Sequence, residues 1–160
     1  MKKTNVRSIT YAAIIAALYV VLTFVANSMG LASGAIQIRI SEALTILPLF
    51  TPAAIPGLFV GCLISNIIAG GVIWDIIFGS IATLLGAIGT YCLRKYKWLA
   101  PLPAILSNTV IVPLVLVYAY GVNEALPYLM LTVGIGEFIS AGILGMLLYT
   151  SLSKHKDIFK

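Results

Sequence analysis

The chain has 160 residues, of which 61% are hydrophobic and 9% charged, with a mean hydropathy of +1.08 and a net charge of +5. A water-soluble domain carries roughly 25% charged residues and a disordered chain is polar and poor in apolar residues, so both classes are excluded. A nucleic-acid-binding protein needs a continuous basic face, which this chain lacks. Its basic residues fall in three clusters: Lys2, Lys3 and Arg7; Arg94, Lys95 and Lys97; Lys154, Lys156 and Lys160. One further basic residue, Arg39, lies between them.

The first apolar run follows Lys2 and Lys3, as in a secretory signal peptide. At residues 9–26 it exceeds the usual signal core of about 7–15 residues, and further apolar runs follow, so it reads as a retained first helix over residues 9–28. Residues 30–41 change character. Ile36, Ile38 and Ile40 alternate with Gln37, Arg39 and Ser41, the period of a strand, and this predicts an extended amphipathic loop. Helices 2 and 3, over residues 42–51 and 56–69, are short and interrupted by Pro48, Pro52 and Pro56. Proline removes a backbone donor and clashes with the preceding turn, and such breaks survive in a membrane where protein or a cavity covers the freed groups. Helices 4, 5 and 6 follow over residues 75–94, 101–120 and 126–152.

A crossing needs about 20 apolar residues, and positive clusters mark the cytoplasmic side. Placing all three clusters there requires an even number of crossings between each pair: four before residue 92 and two after residue 98. The expectation is an all-α integral membrane protein, one domain over residues 1–160. It is a six-helix bundle with both termini cytoplasmic and the extended loop extracellular.

Ionisable groups inside such a bundle are functional candidates, because each costs about 2.5–3.5 kcal/mol at the bilayer centre on insertion scales. They are Glu42, Asp75, Glu124 and Glu137, with Arg39. Four carboxylates and one arginine predict an outer cavity of acidic character, suited to a cationic or hydrogen-bond-donating solute. Each has a structural alternative. Arg39 and Glu42 can pair and fix the loop; Asp75 can favour the N-terminal end of helix 4; Glu124 can simply be solvated. Glu137, part-way along helix 6, has no inexpensive structural reason to be there. Asn66 and Asn108 are candidate ligand amides or interhelical hydrogen-bonding groups, and Trp74 an interfacial anchor or a stacking ring.

Small residues four apart, Ala12 and Ala16, Ala13 and Ala17, Gly57 and Gly61, Ala141 and Gly145, allow close helix approach. Cys62 and Cys92 lie in apolar runs without CxxC spacing, and His155, the sole histidine, is in the tail. No metal site or cofactor is expected. No phosphate loop, nucleophile elbow or zinc-protease motif occurs, so no enzymatic role is expected and any uphill transport draws on an ion gradient or partner subunits.

The run holding Arg39, Ser41, Glu42, Thr45 and Pro48, continuing through Phe50, Pro52, Pro56 and Gly57, resembles the QueT family, as do Trp74, Asp75, Phe78 and Gly79 and the triplet Gly136, Glu137 and Phe138. That family comprises substrate-binding S components of energy-coupling factor (ECF) transporters. The resemblance implies a plasma-membrane protein of a prokaryote with a site near the outer face, under the first loop. It implies docking to a transmembrane coupling subunit carrying two ATPase subunits, with Ala12 and Ala16 matching the docking pattern on helix 1. The implied substrate is a queuosine precursor, 7-aminomethyl- or 7-cyano-7-deazaguanine. Glu137 or Glu42 would accept from the guanine edge, Asp75 would face an aminomethyl cation, and Trp74 or Phe138 would stack on the base. Alternatives are a stand-alone secondary carrier with Glu137 or Asp75 as proton site, a non-transport assembly subunit, or a membrane enzyme.

Overall fold

The structure, a computed structural model, describes residues 3–31 and 36–154. Lys2, His155, Lys156 and Lys160 lie outside the described residues, as does the middle of the first loop. Six helical units occur among the described residues, and no strand. They are α1 (Lys3–Ser28), a 3₁₀ helix (Ile40–Leu49), α2 (Ala54–Ile68), α3 (Ile73–Cys92), α4 (Leu102–Tyr118) and a composite last helix. The last comprises α5 (Leu126–Glu137), a π-helical stretch (Phe138–Leu144) and α6 (Gly145–Ser153). Three segments are long and apolar enough to cross a membrane: Val6–Ser28, Ile73–Cys92 and Leu126–Ser153. The 3₁₀ helix, α2 and α4 are shorter apolar helices.

The second unit is tighter than an ordinary α-helix. An α-helical turn ahead of Pro48 would set the proline ring against the carbonyl of Leu44, and 3₁₀ runs beyond three or four residues are uncommon. Here the run extends over 10 residues because the bundle encloses it: every residue from Ser41 to Pro48 is buried. A core of Ile15, Tyr19, Leu44, Leu47, Leu58 and Cys62 packs around it.

Glycines set how closely the helices approach. A Cβ added at Gly57 would lie 2.7 Å from the Ala12 carbonyl oxygen, and one at Gly61 3.0 Å from Ala16 Cα. The advance from 57 to 61 matches that from 12 to 16, so α1 and α2 run parallel. On α3, Gly86 abuts Ala104 and Gly89 abuts Pro103, so α3 and α4 are antiparallel. Ala12 and Ala16 are therefore occupied within the chain. Ala16 is buried against α2 and Ala12 is half-buried, while the alanines that α1 leaves exposed in this stretch are Ala13 and Ala17.

Polarity is distributed inside out. Val21, Phe24, Ile67, Leu106, Leu131 and Leu147 are exposed, whereas Ser41, Thr45, Ser65, Thr83, Thr90 and Asn108 are buried. Interhelical contact through small and hydroxylated side chains with aliphatic residues outside suits a lipid surround. The described part of the loop is not a strand. Ile38 N–H donates to Leu31 O at 2.9 Å, and Gln37, Ile38, Arg39 and Ile40 are all half-buried. Residues 37–39 instead lie against the last helix, with Gln37 O on Gly136 and Arg39 N–H on Ser140.

Candidate functional site

The polar interior centres on Glu42, which is fully buried. Tyr19 of α1 donates its hydroxyl to Glu42 Oε1, Thr83 of α3 donates to the same oxygen at 3.3 Å, and Asn108 Nδ2 of α4 donates to Oε2 at 3.3 Å. Three helices thus converge on one carboxylate carried by the 3₁₀ helix. A buried charge is tolerable only when hydrogen-bonded in this way. The Arg39–Glu42 pair considered from sequence does not form as a contact pair; the Arg39 guanidinium lies within Coulombic range of both Glu42 and Glu137.

Glu137 is the second buried carboxylate, 3% exposed and roughly 17 Å along the last helix from Leu126 at 1.5 Å per residue. It has fewer partners: its Oε2 makes no hydrogen bond within the protein, and neither do the buried Asn108 Oδ1 and Thr109 Oγ1. Immediately after Glu137 the helix widens into the π-helical stretch, through the small residues Ser140, Ala141 and Gly142. Single π turns recur at functional sites because they redirect side chains.

The described end of the first loop straps this region. Arg39 N–H donates to Ser140 Oγ at 3.1 Å, and a Cβ on Gly136 would come within 2.1 Å of Gln37 O. The backbone of residues 37–39 therefore crosses the last helix on either side of Glu137, and only glycine at position 136 lets it lie so close. Beside this strap is a cavity of about 170 Å³. Tyr19, Thr23 and Asn27 line it from α1, Gln37 and Arg39 from the strap, Ser41 from the 3₁₀ helix, Asn66 from α2 and Asp75 from α3. It is smaller than the roughly 300–1,000 Å³ of drug-sized sites, which suits a single small solute. Tyr19 is its common wall with the carboxylate cluster, since the same side chain lines the cavity and holds Glu42.

Asp75 lies in the first turn of α3, as its capping alternative requires. Its Oδ2 also accepts from Tyr120 at 3.0 Å, and the same phenol oxygen accepts from Val72 N–H at 3.3 Å. Asn66 Nδ2 donates to the Asp75 carbonyl at 3.4 Å, joining α2 to α3. The acidic outer cavity expected from sequence is thereby corrected to a polar one: Asp75 faces it, Glu42 and Glu137 are buried below, and Glu124 is exposed in the turn before α5.

The two candidate stacking rings are elsewhere. Trp74 stacks on Phe78, ring centroids 6.0 Å apart, and both line a separate apolar groove of about 550 Å³ between α3 and α4. Phe138 is 59% exposed on the outside of the last helix. The larger groove is walled by aliphatic and aromatic side chains, whereas polar side chains line the smaller cavity and the Glu42 cluster that shares Tyr19 with it. Tyr19, Thr83 and Ser140 escaped the sequence reading, and Gly136 entered it only as part of the family resemblance. The available signals were a tyrosine and a threonine within apolar helices, and these are ambiguous without knowing which way each helix faces.

Residues 9–154 match the model of the family described as QueT transporter. A curated relative, the queuosine precursor transporter QueT of Lactococcus lactis subsp. cremoris (strain MG1363), is 35% identical over 99 residues. The aligned region covers 61% of this chain and 57% of the relative's length. No solved structure matches the chain. With nearly its whole length matched, and with membrane-length helices around a polar interior, the chain belongs to the QueT transporter family, a family of transporters and not of enzymes.

Proposed function

We propose that the chain is the capture subunit of an ECF importer for a queuosine precursor of the 7-deazaguanine type. It takes the solute at the outer face and delivers it by docking to an ATP-driven coupling module. The observation that carries this reading is a small polar cavity, bounded by Asp75, Arg39 and two asparagines, within an otherwise apolar bundle of this family. The relative's printed role as a queuosine precursor transporter supports the substrate. Asp75 supplies a carboxylate for an aminomethyl cation, and the buried carboxylates supply acceptors for the donor-rich base.

Six crossings with both termini cytoplasmic follow from the basic residues. Arg94, Lys95 and Lys97 follow α3 at the end away from Asp75, roughly 25 Å along that helix. Lys97 Nζ lies 5.9 Å from the Tyr149 ring of α6, so this basic turn and the end of α6 share one side. Docking uses the exposed face of α1 carrying Ala13 and Ala17, one position round from Ala12 and Ala16.

Uptake of labelled 7-aminomethyl-7-deazaguanine into proteoliposomes tests the whole reading. Accumulation is expected only when the chain is reconstituted with a coupling subunit and its ATPases, with ATP supplied. Accumulation by the chain alone, unchanged when ATP is withheld, would instead identify a self-sufficient secondary carrier.

A further inference from the structure

The two buried carboxylates are not equivalent. Glu42 receives three hydrogen bonds, from Tyr19, Thr83 and Asn108, and has the character of a structural hub. Glu137 keeps an oxygen without a partner at 3% exposure, and Asn108, at 1% exposure, keeps its carbonyl oxygen without one. The orientation of the Asn108 amide is fixed by chemistry: an ionised carboxylate only accepts, so the end facing Glu42 must be the NH₂. The Oδ1 end is consequently directed elsewhere and has no partner, and the second N–H of the same amide is the group that can reach Glu137.

Glu137 Oε2 and Asn108 Oδ1 are both acceptors, and one of the two N–H donors of the Asn108 amide is committed to Glu42, while the unpartnered Thr109 hydroxyl lies on the next residue of α4. A buried acceptor left unmade is costly, whereas a charge-assisted bond to it is among the stronger ones. The ligand edge that matches these two oxygens carries adjacent N–H donors. Within the deazapurine class this is the edge bearing the ring N1–H and the exocyclic 2-amino group. A base with hydrogen at position 2 offers one donor fewer, and a 2-oxo base sets an acceptor against an acceptor.

Resting on the substrate class proposed above, we infer that Glu137 and Asn108 together read the 2-amino group of the base, while Glu42 serves to orient Asn108. Glu137 is the specificity-determining contact and Glu42 a positioning residue. The strap adjoins this pair, since Gln37 O on Gly136 and Arg39 N–H on Ser140 flank Glu137 on both sides.

The test is calorimetric binding of 7-aminomethyl-7-deazaguanine and of its 2-deamino and 2-oxo counterparts to the purified full chain. Loss of the 2-amino group is expected to weaken binding about 100-fold or more, since a site built to bond a polar group rejects the analogue lacking it. In Glu137→Gln, whose amide offers a donor as well as an acceptor, the ratio is expected to fall below about tenfold, with relative gain for the 2-oxo base. Should Glu137→Gln fail to fold, Asn108→Ala is read in its place and is expected to narrow the same ratio. Equal affinity of the wild-type chain for the 2-amino and 2-deamino bases would overturn the inference and leave the proposed substrate class standing. Binding of none of the three would remove that class and the inference together.

Discussion

Tyr19 has two functions: its ring walls the polar cavity and its hydroxyl holds Glu42. In Tyr19→Phe the ring remains and the carboxylate loses one of its three donors. The expected result is a loss of about 1–3 kcal/mol, the usual cost of stranding a buried polar partner, read as a lower thermal unfolding temperature in detergent with the helical content unchanged. Tyr120, just beyond α4, differs because it is half-exposed and bonds Asp75 in the wall of the cavity. Partial burial, with the nearby Asp75 carboxylate adding to it, raises its phenol above the ordinary value of about 10. A raised folded-state value means that the contribution is fully present below the ordinary phenol pKa and is lost as pH rises through the raised one. The tie between α3 and Tyr120 is therefore expected to be constant through neutral pH and to fail in strong alkali. Phenolate absorbance during an alkaline titration checks this: Tyr120→Phe should remove one late-titrating phenol and abolish the accompanying loss of stability.

The strap meets the last helix through its backbone, at Gly136 and at the Ser140 hydroxyl, so glycine chemistry decides how closely they meet. Gly136→Ala would set a methyl 2.1 Å from Gln37 O and force residues 37–39 off the helix. Interface changes act mainly on dissociation, so substrate should leave roughly tenfold faster, with the bundle still folded. Gly134→Ala, facing the Thr109 side chain at 3.3 Å, is the control with little expected effect on dissociation. Unchanged release from Gly136→Ala would show that the strap does not cover the ligand. Much at this scale was legible in the sequence. The six helices appear within a few residues of their expected bounds, and Glu42 and Glu137 were marked by the expense of charge in lipid. The phase of each helix was not legible. Ala12 with Ala16 and Ala13 with Ala17 have identical spacing, and only the packing of Gly57 and Gly61 tells the buried pair from the exposed one. The partners Tyr19, Thr83 and Ser140 were hidden for the same reason, because helices apolar on every side carry little periodicity. The strand-like alternation of residues 36–41 marked non-helical backbone only over residues 36–39, because Ile40 and Ser41 already belong to the 3₁₀ helix.

At the scale of the molecule, a polar interior in an aliphatic shell suits a bilayer as the structural solvent, and the topology proposed above rests on the distribution of basic residues. Cys92 is exposed next to the basic turn and Cys62 is buried in the core. A membrane-impermeant maleimide should label Cys92 in inverted vesicles and not in right-side-out cells, with Cys62 silent in both; the opposite sidedness would reverse the proposed topology. The central claim is that this chain by itself captures a queuosine precursor, and calorimetry of the purified protein with 7-aminomethyl-7-deazaguanine, with guanine and the 7-cyano compound alongside, tests it most directly. The account predicts saturable binding below about 1 μM, near −8 kcal/mol or tighter, with no coupling subunit present. Absence of binding to all three compounds would contradict it.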